Sequence, residues 1–224
     1  MRPEDRENML YRSGKRNQIN FEENYVFNCI SKKSSIGLKI LDLGCGSGEI
    51  ACLYSNNGFQ VICVDFSSVA IELCNQKNLK AFKMDIDLGL DFKDNSFDFV
   101  IAGDVIEHVF DPIFVFNEIH RVLKPNGELF ATLPYDLNLF NRKTIFTGHS
   151  YQEFVYKKFG HYKHHTFFSE YLLKFMLNVS GLNINFLHYL YYNRFKSDYA
   201  ITQNNKFLKL FSKAMIVNCK ISHN

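Results

Sequence analysis

The chain has 224 residues, of which 46% are apolar, and its formal net charge is only +3. A chain of this length and composition can bury a full hydrophobic core, which predicts one globular domain. The net charge is too small to indicate a nucleic-acid-binding protein by itself, and no apolar run approaches the length of a membrane span.

The first ten residues, MRPEDRENML, are polar and do not resemble a signal peptide. The six cysteines form no CxxC pair, so we expect reduced thiols rather than disulfides or zinc ligands. Both features favour a cytoplasmic protein. Further along the polar segment 1–36, the pattern predicts a helix near Glu22–Ile30.

The segment from Lys39 to Glu49 reads KILDLGCGSGE, a short apolar strand followed by three glycines at alternate positions. Gly44, Gly46 and Gly48 can take positive φ and let the backbone approach a ligand closely. Asp42 can accept a hydrogen bond from an ammonium group, and the N-terminus of the following helix suits a carboxylate. The pattern therefore indicates a small-molecule site, although a tight turn in any α/β protein is the plainer interpretation.

Acidic or small residues recur where the next strands end. Gln60–Val64 ends in Asp65, 17 residues after Gly48, near the spacing expected of an acid that holds ribose hydroxyls. The apolar segment 79–84 is followed by Asp85, and the segment 97–102 by Gly103 and Asp104. Each acid alone could be a helix cap, but their recurrence predicts one site at the carboxyl edge of a parallel sheet.

Two other nucleotide-binding classes are disfavoured. A dinucleotide fingerprint needs two residues between its second and third glycines, whereas Gly46 and Gly48 are separated by one, and Glu49 would repel a pyrophosphate. The Gly-Lys-Ser/Thr element of a P-loop does not occur in the chain.

The second half of the chain predicts further helices and strands. Asp111-Pro112 and Ser169 are typical helix starts, and Gly181 is a typical stop. A sixth strand is expected over 183–189 and a last strand over 214–220. Residues 134–166, rich in aromatic, lysine and histidine residues, fit neither state and are predicted to hold the substrate.

These motifs resemble those of the class I S-adenosylmethionine-dependent methyltransferases. The resemblance rests on DLGCGSG at 42–48, Asp65, Asp85-Ile86, DFV at 98–100 and LKPNGEL at 123–129. It implies S-adenosylmethionine as cofactor and an α/β, doubly wound, Rossmann-like sheet of seven strands. The sheet should be mostly parallel, with an antiparallel last strand and helices on both faces. The residues expected to bind the cofactor are Asp42, Gly44, Cys45, Gly46, Gly48, Asp65, Phe66, Asp85, Ile86, Gly103 and Asp104.

On this resemblance the whole chain, 1–224, is expected to be a single methyltransferase domain. Residues 1–36 would form a helical cover over the cofactor and 37–133 the cofactor-binding core. A substrate lid would follow at 134–168, and a helix with the remaining strands at 169–224.

Histidine is the side chain best suited to remove a proton from an acceptor at neutral pH. His108, just beyond the fourth strand, and His161, in the expected lid, are the predicted bases, whereas His164 and His165 look solvated. Asp104, Glu107 and His108 resemble a metal-binding group of quinone-pathway O-methyltransferases, but that pattern has glutamate at the first position. We therefore expect no metal.

The resulting interpretation is a methyltransferase acting on a small molecule, with a sugar or glycan-precursor hydroxyl as the expected acceptor. A quinone or lipid-precursor acceptor and a non-catalytic S-adenosylmethionine-binding scaffold are the alternatives. Arg142 and the four lysines of 134–166 favour an anionic acceptor, and the basic, aromatic C-terminal region suits peripheral contact with a membrane or a partner. No nucleic-acid partner is expected.

Overall fold

The computed structural model describes most of the chain. The described residues are 3–12, 19–33, 36–148, 164–193, 198–203 and 205–222. His161 lies outside these ranges, as do Lys157, Lys158 and Lys163. No helix within them is long and apolar enough to cross a lipid bilayer.

The described residues include helices that alternate with strands in the first half of the chain. The helices are α1 (Pro3–Arg12), α2 (Phe21–Ile30), α3 (Glu49–Asn56), α4 (Ser68–Gln76), α5 (Pro112–Val122), α6 (Leu139–Phe146), α7 (Glu170–Val179) and α8 (Lys206–Lys209). Single 3-10 turns occupy Ile86–Leu88 and Ile106–His108. The predicted starts of α5 and α7 are confirmed, because Asp111 and Ser169 accept backbone N–H bonds as N-caps.

Strands of the described part of the chain form one sheet in the order β3-β2-β1-β4-β5-β8-β6-β7. They are β1 (Lys39–Leu43), β2 (Gln60–Asp65), β3 (Lys80–Lys83), β4 (Phe97–Gly103), β5 (Leu123–Pro134), β6 (Leu182–Asn193), β7 (Asp198–Thr202) and β8 (Ser212–Ile221). The first five strands are parallel to one another, and β8 runs antiparallel between β5 and β6. The mostly parallel sheet with an antiparallel last strand is therefore confirmed.

The predicted count of seven strands is wrong, because the described residues form eight. The additional strand, β7, pairs antiparallel with the end of β6, from Tyr189 opposite Thr202 to Asn193 opposite Asp198. Across this pair the rings of Tyr192 and Tyr199 lie 5.5 Å apart, a contact that stabilises neighbouring strands. β7 has only five residues and is partly exposed, so it lacks the apolar run by which the other strands were predicted.

Alternation along the strands divides the core into two clusters. In β1, Leu41 and Leu43 pack with α5 and α7, whereas Ile40 packs with α2 and α3. Successive side chains of a strand point to opposite faces of a sheet, so the two clusters follow from the pattern of the sequence. The strand order reverses at β1, between β2 and β4, and this arrangement opens a crevice at the carboxyl ends of β1 and β4.

Helix α2 is fixed at its start by a capping box. Asn20 Oδ1 accepts from the backbone N–H of Glu23 at 2.8 Å, and Glu23 Oε2 accepts from the N–H of Asn20 at 2.7 Å. Replacing Asn20 with alanine is expected to lower the free energy of unfolding by about 1 kcal/mol, because a backbone donor loses its partner. Urea unfolding measures this, and Asn20→Asp, which keeps the acceptor, should stay near wild type. Equal losses in both variants would contradict the capping role.

Candidate active site

The glycine turn after β1 is built by backbone conformations that other residues rarely adopt. Gly44, Gly46 and Gly48 have φ of 69°, 56° and 80°. A Cβ added to Gly44 would lie 2.1 Å from Cγ2 of Val105, so the turn also packs too closely for a side chain at this position. Cys45, between the first two glycines, is buried. The turn brings backbone groups to the carboxyl edge of the sheet, where the sequence predicted a ligand.

Asp65 connects the glycine turn to helix α4. Its Oδ2 accepts from the N–H of Gly46 at 3.0 Å, and its Oδ1 accepts from the N–H of Ser67 at 2.8 Å. Two carboxylate oxygens offer about four acceptor sites, so these bonds are compatible with further donors such as hydroxyls. The side chain is only 7% exposed.

An acidic cavity lies beneath the turn. Its lining includes Asp42, Glu23, Gly44, Gly103 and Thr132. Asp42 is 3% exposed, and its Oδ2 has no hydrogen-bond partner among the described residues. Burial, reinforced by the Glu23 carboxylate, holds the pKa of Asp42 well above its usual range. A buried acid, Asp42, beside a half-buried one, Glu23, favours a cationic guest, because such a guest would stabilise the ionised forms of both.

Helix α2 supplies the second acid of this cavity. Burial raises the pKa of Glu23, against the opposing effect of the hydrogen bond from Asn20. Residue-by-residue analysis missed Glu23, although a helix near Glu22–Ile30 was predicted. Which residue of a helix points into a cavity depends on tertiary packing, and the sequence carried no local signal for it.

Asp104 follows β4 in a left-handed conformation, with φ of 51°. Its N–H donates to the backbone O of Thr132 at 3.1 Å, and Thr132 Oγ1 lies 3.1 Å from both the N–H and Oδ1 of Asp104. These bonds hold a conformation that costs free energy for most residues but is tolerated by aspartate. Thr132, on β5, is thus a second cavity residue that the sequence analysis did not single out.

Two predicted cofactor residues follow β3. Asp85 is the N-cap of the 3-10 turn Ile86–Leu88, where its Oδ1 accepts from the N–H of Asp87 at 3.1 Å. Ile86 is half-buried and packs against the core. At the end of β2, Phe66 is 39% exposed. Asp85, Ile86 and Phe66 thus all lie at the carboxyl edge of the sheet. Asp85 caps a helical turn, which was the alternative explanation for each acid at a strand end.

His108 ends the 3-10 turn after β4, beside the buried Glu107. Its Nε2 lies 3.9 Å from Oε1 of Glu107, and its ring centroid lies 4.9 Å from that of His164. The backbone O of Glu107 accepts from the N–H of His165 at 2.7 Å, which anchors the chain that returns after residue 163. The expectation that His164 is simply solvated is therefore wrong, since its half-buried ring contacts that of His108. His165 is exposed, as expected.

Potential metal ligands group differently from the expected pattern. One group among the described residues consists of Glu107, His108 and His164, whose potential ligand atoms lie within 4.8 Å of one another. Asp104 does not belong to this group. The group joins residues separated by more than fifty positions in the sequence, so spacing could not predict it.

Helix α1 packs beside Ser67 and the glycine turn. Asn8 Oδ1 accepts from Oγ of Ser67 at 2.6 Å, and Lys83 Nζ lies 2.6 Å from Oε1 of Glu4. Tyr11 is 6% exposed and its ring would lie 3.4 Å from a Cβ on Gly46. The N-terminal segment thus contacts both the glycine turn and the start of α4.

Comparison with known proteins adds independent information. A family described as "Methyltransferase domain" matches residues 41–131. A demethylmenaquinone methyltransferase of Staphylococcus aureus is 34% identical over 122 residues, which are 50% of this chain and 50% of that protein. A ubiquinone biosynthesis O-methyltransferase of Bradyrhizobium diazoefficiens is 35% identical over 120 residues, covering 48% and 42%. The chain thus aligns with about half the length of these curated relatives.

The fold has close counterparts among solved structures. The S-adenosylmethionine-dependent methyltransferase of Thermotoga maritima superposes with a TM-score of 0.68 over 90% of this chain and 88% of its own. The two sequences are 19% identical, so this likeness concerns the fold alone.

Proposed function

We propose that the chain transfers a methyl group from S-adenosylmethionine to a small-molecule acceptor. The proposal starts from its domain, which is that of the class I S-adenosylmethionine-dependent methyltransferases. The observation that carries the proposal is the acidic cavity under the glycine turn. The cofactor has an ammonium and a sulfonium group, and the buried Asp42 and the half-buried Glu23 offer carboxylates to such a cation. The orphaned Oδ2 of Asp42 and the close backbone approach at Gly44 fit this group.

In this proposal different residues contact different parts of the cofactor. Asp42 and Glu23 would meet the amino-acid part, Asp65 the ribose, and Asp85 with Ile86 the adenine. Phe66, Gly103, Asp104 and the turn residues Cys45 and Gly46 would line the same crevice. Helix α1 would cover the bound cofactor, which agrees with its contacts at Ser67 and Gly46.

Replacing Asp65 with alanine is expected to weaken S-adenosylmethionine binding about 10- to 100-fold, which is about 1.4–2.7 kcal/mol. The substitution would remove the ribose acceptors and the bond that holds Gly46 N–H. Calorimetric titration measures the affinity. Asp94→Ala, which removes an exposed carboxylate paired with Arg121, is the matched control and should bind like wild type. Unchanged affinity in Asp65→Ala would remove the assignment.

Cofactor binding is expected to release a proton and to strengthen as pH rises. In the free protein the pKa of Asp42 is raised, mainly by burial, so below this raised pKa the side chain carries a proton. A cation stabilises the carboxylate, so binding below the raised pKa must displace that proton and is weaker. Titration in two buffers of different ionisation enthalpy counts the protons. The Asp42→Asn variant should bind S-adenosylmethionine more weakly and release fewer protons. Binding to the wild-type protein that does not depend on pH would refute this role of Asp42.

The acceptor we propose is a hydroxylated quinone precursor. The curated relatives named above carry quinone names, which favours this alternative over the sugar acceptor expected from the sequence. Large apolar side chains are exposed after three strand ends: Leu88 is 84% exposed, Phe110 77% and Leu139 46%. Such a surface suits an apolar ring or tail better than a sugar. Of the basic residues in the predicted lid, Lys157, Lys158 and Lys163 lie outside the described residues and Lys143 is exposed on α6. Arg142 Nε donates to the backbone O of Leu137.

When bound, S-adenosylmethionine supplies an already activated methyl group, so the protein has mainly to align the acceptor and exclude water. We assign His108 as the base that accepts the hydroxyl proton at Nε2. Glu107, at 3.9 Å, would stabilise the imidazolium that forms, and His164 would hold the ring. His161 stays a second candidate from the predicted lid.

The acceptor is tested with cofactor labelled in its methyl group. We expect label to enter an alkyl-substituted catechol, used as a quinone-precursor probe, and not UDP-glucose. Transfer to UDP-glucose alone would restore the sugar acceptor. Cofactor binding without transfer to any acceptor of an extended panel would favour the non-catalytic scaffold.

A further inference from the structure

Three cysteines that are distant in the sequence meet beside the glycine turn. Cys45 belongs to the turn, Cys63 to β2 and Cys74 to α4. Their Sγ atoms lie within 4.8 Å of one another, and those of Cys45 and Cys74 are 3.7 Å apart. Cys63 and Cys74 are fully buried and Cys45 is 6% exposed. All six cysteines of the chain are free thiols.

The separations fit a shared metal ion. A disulfide would bring two sulfurs to about 2.05 Å, far below the observed 3.7 Å. Three thiolates around one ion at about 2.3 Å from each would be about 4 Å apart, as geometry requires of a trigonal site. No fourth cysteine, histidine or carboxylate joins the group within the described residues. Zinc sites ordinarily need four ligands, whereas a set of soft thiolates alone favours copper(I).

We propose that Cys45, Cys63 and Cys74 form a binding site for a soft, thiophilic metal ion, with copper(I) as the ion that fits best. An ion can reach the site because Cys45 lines the same cavity as Asp42 and Gly44. On loading, three S–H protons leave and three metal–sulfur bonds form, with no change of oxidation state.

Groups around the three cysteines can accommodate the loss of the thiol protons and the binding of the ion. Cys74 Sγ lies 3.4 Å from the backbone O of Gly46, a weak contact that would be exchanged for a metal bond. Lys77, the C-cap residue directly after α4, places its ammonium 2.5 Å from the backbone O of Ser47 and 2.7 Å from Glu49 Oε1. Its positive charge would partly offset that of the thiolates. The site would join the turn, β2 and α4 through a single ion.

The competing explanation is that the thiols only fill the core. All three belong to the apolar cluster around Tyr54, and cysteine commonly packs as a small apolar side chain. In that case no ordered metal site would form, and copper would distribute over the half-buried thiols of Cys29 and Cys52. Two measurements distinguish a metal site from thiols that only fill the core, and neither measurement depends on cofactor binding or on methyl transfer.

The first test is an anaerobic titration of the reduced protein with copper(I) in competition with bicinchoninate. We expect one tight equivalent per chain, and at least a 100-fold loss of affinity in Cys74→Ser. Cys29→Ser, which removes a thiol outside the cluster, is the matched control and should bind within about twofold of wild type. Equal affinity in Cys74→Ser and wild type would overturn the proposal. Circular dichroism checks that each variant is folded.

The second test needs no variant. Copper K-edge X-ray absorption of the wild-type protein with one equivalent of copper(I) should give three sulfur neighbours at about 2.2–2.3 Å. Two sulfurs, or nitrogen and oxygen neighbours, would overturn the proposal even if Cys74→Ser failed to fold.

Discussion

Replacing Gly44 with alanine is expected to lower the free energy of unfolding by about 2–5 kcal/mol and to abolish measurable cofactor binding. One part of this cost is conformational, because φ at Gly44 is 69°, a region that L-residues occupy with strain. The other part is steric, because the new Cβ would lie 2.1 Å from Cγ2 of Val105. Relief of the clash would move the turn away from Asp42 and the cavity. Urea unfolding and calorimetric titration with S-adenosylmethionine measure the two effects.

The chain offers a control that separates strain from collision. Gly37 has a similar φ of 77°, but a Cβ there would meet nothing within 4 Å. Gly37→Ala should therefore cost only about 1 kcal/mol and leave cofactor binding intact. The double variant Gly44→Ala/Val105→Ala removes the colliding methyl group and should recover part of the lost stability. If Gly44→Ala were no more costly than Gly37→Ala, the close approach at this turn would not exist.

Replacing His108 with glutamine is expected to lower kcat about 100- to 1,000-fold, the range of a lost general base. The cofactor affinity should remain within about twofold, because His108 lies beyond the glycine turn and the acidic cavity. The dependence of kcat on pH should also lose its acidic limb, since the group that must be unprotonated would be absent. A purely structural role would lower stability without removing that limb.

His120→Gln is the matched histidine control. His120 lies in the last turn of α5, beside Gly181, away from the carboxyl ends of β1 and β4. It should keep wild-type kcat and the same pH profile. Full activity of His108→Gln would exclude His108 as the base and would direct attention to His161 in the predicted lid.

The central part of the fold was accessible from the sequence because its signals are local. Glycines at alternate positions after an apolar strand predicted the turn, and all three have positive φ. Asp111-Pro112 and Ser169 predicted helix starts, because a cap acts on backbone groups two or three residues away. Most of the parallel strands are short apolar runs bounded by polar residues or glycine, so their pattern was also sufficient.

What the sequence did not reveal depends on contacts between distant segments. β7 is defined by pairing with β6 rather than by its own composition. Glu23 faces the cavity because α2 packs on the sheet, and His164 reaches His108 because the chain returns beside Glu107. The cysteine cluster is of the same kind, since Cys45, Cys63 and Cys74 show no ligand spacing along the chain. Local patterns thus predicted the glycine turn and the strand ends around it, whereas tertiary packing placed Glu23 in the cavity and His164 beside His108.

The most direct test is calorimetric titration of the purified protein with S-adenosylmethionine and, separately, with its demethylated product S-adenosylhomocysteine, with NADH as a control. We expect saturable binding of the first two at one molecule per chain and no binding of NADH. The absence of binding by S-adenosylmethionine, or binding of NADH in its place, would contradict the assignment of the acidic cavity and the glycine turn to this cofactor.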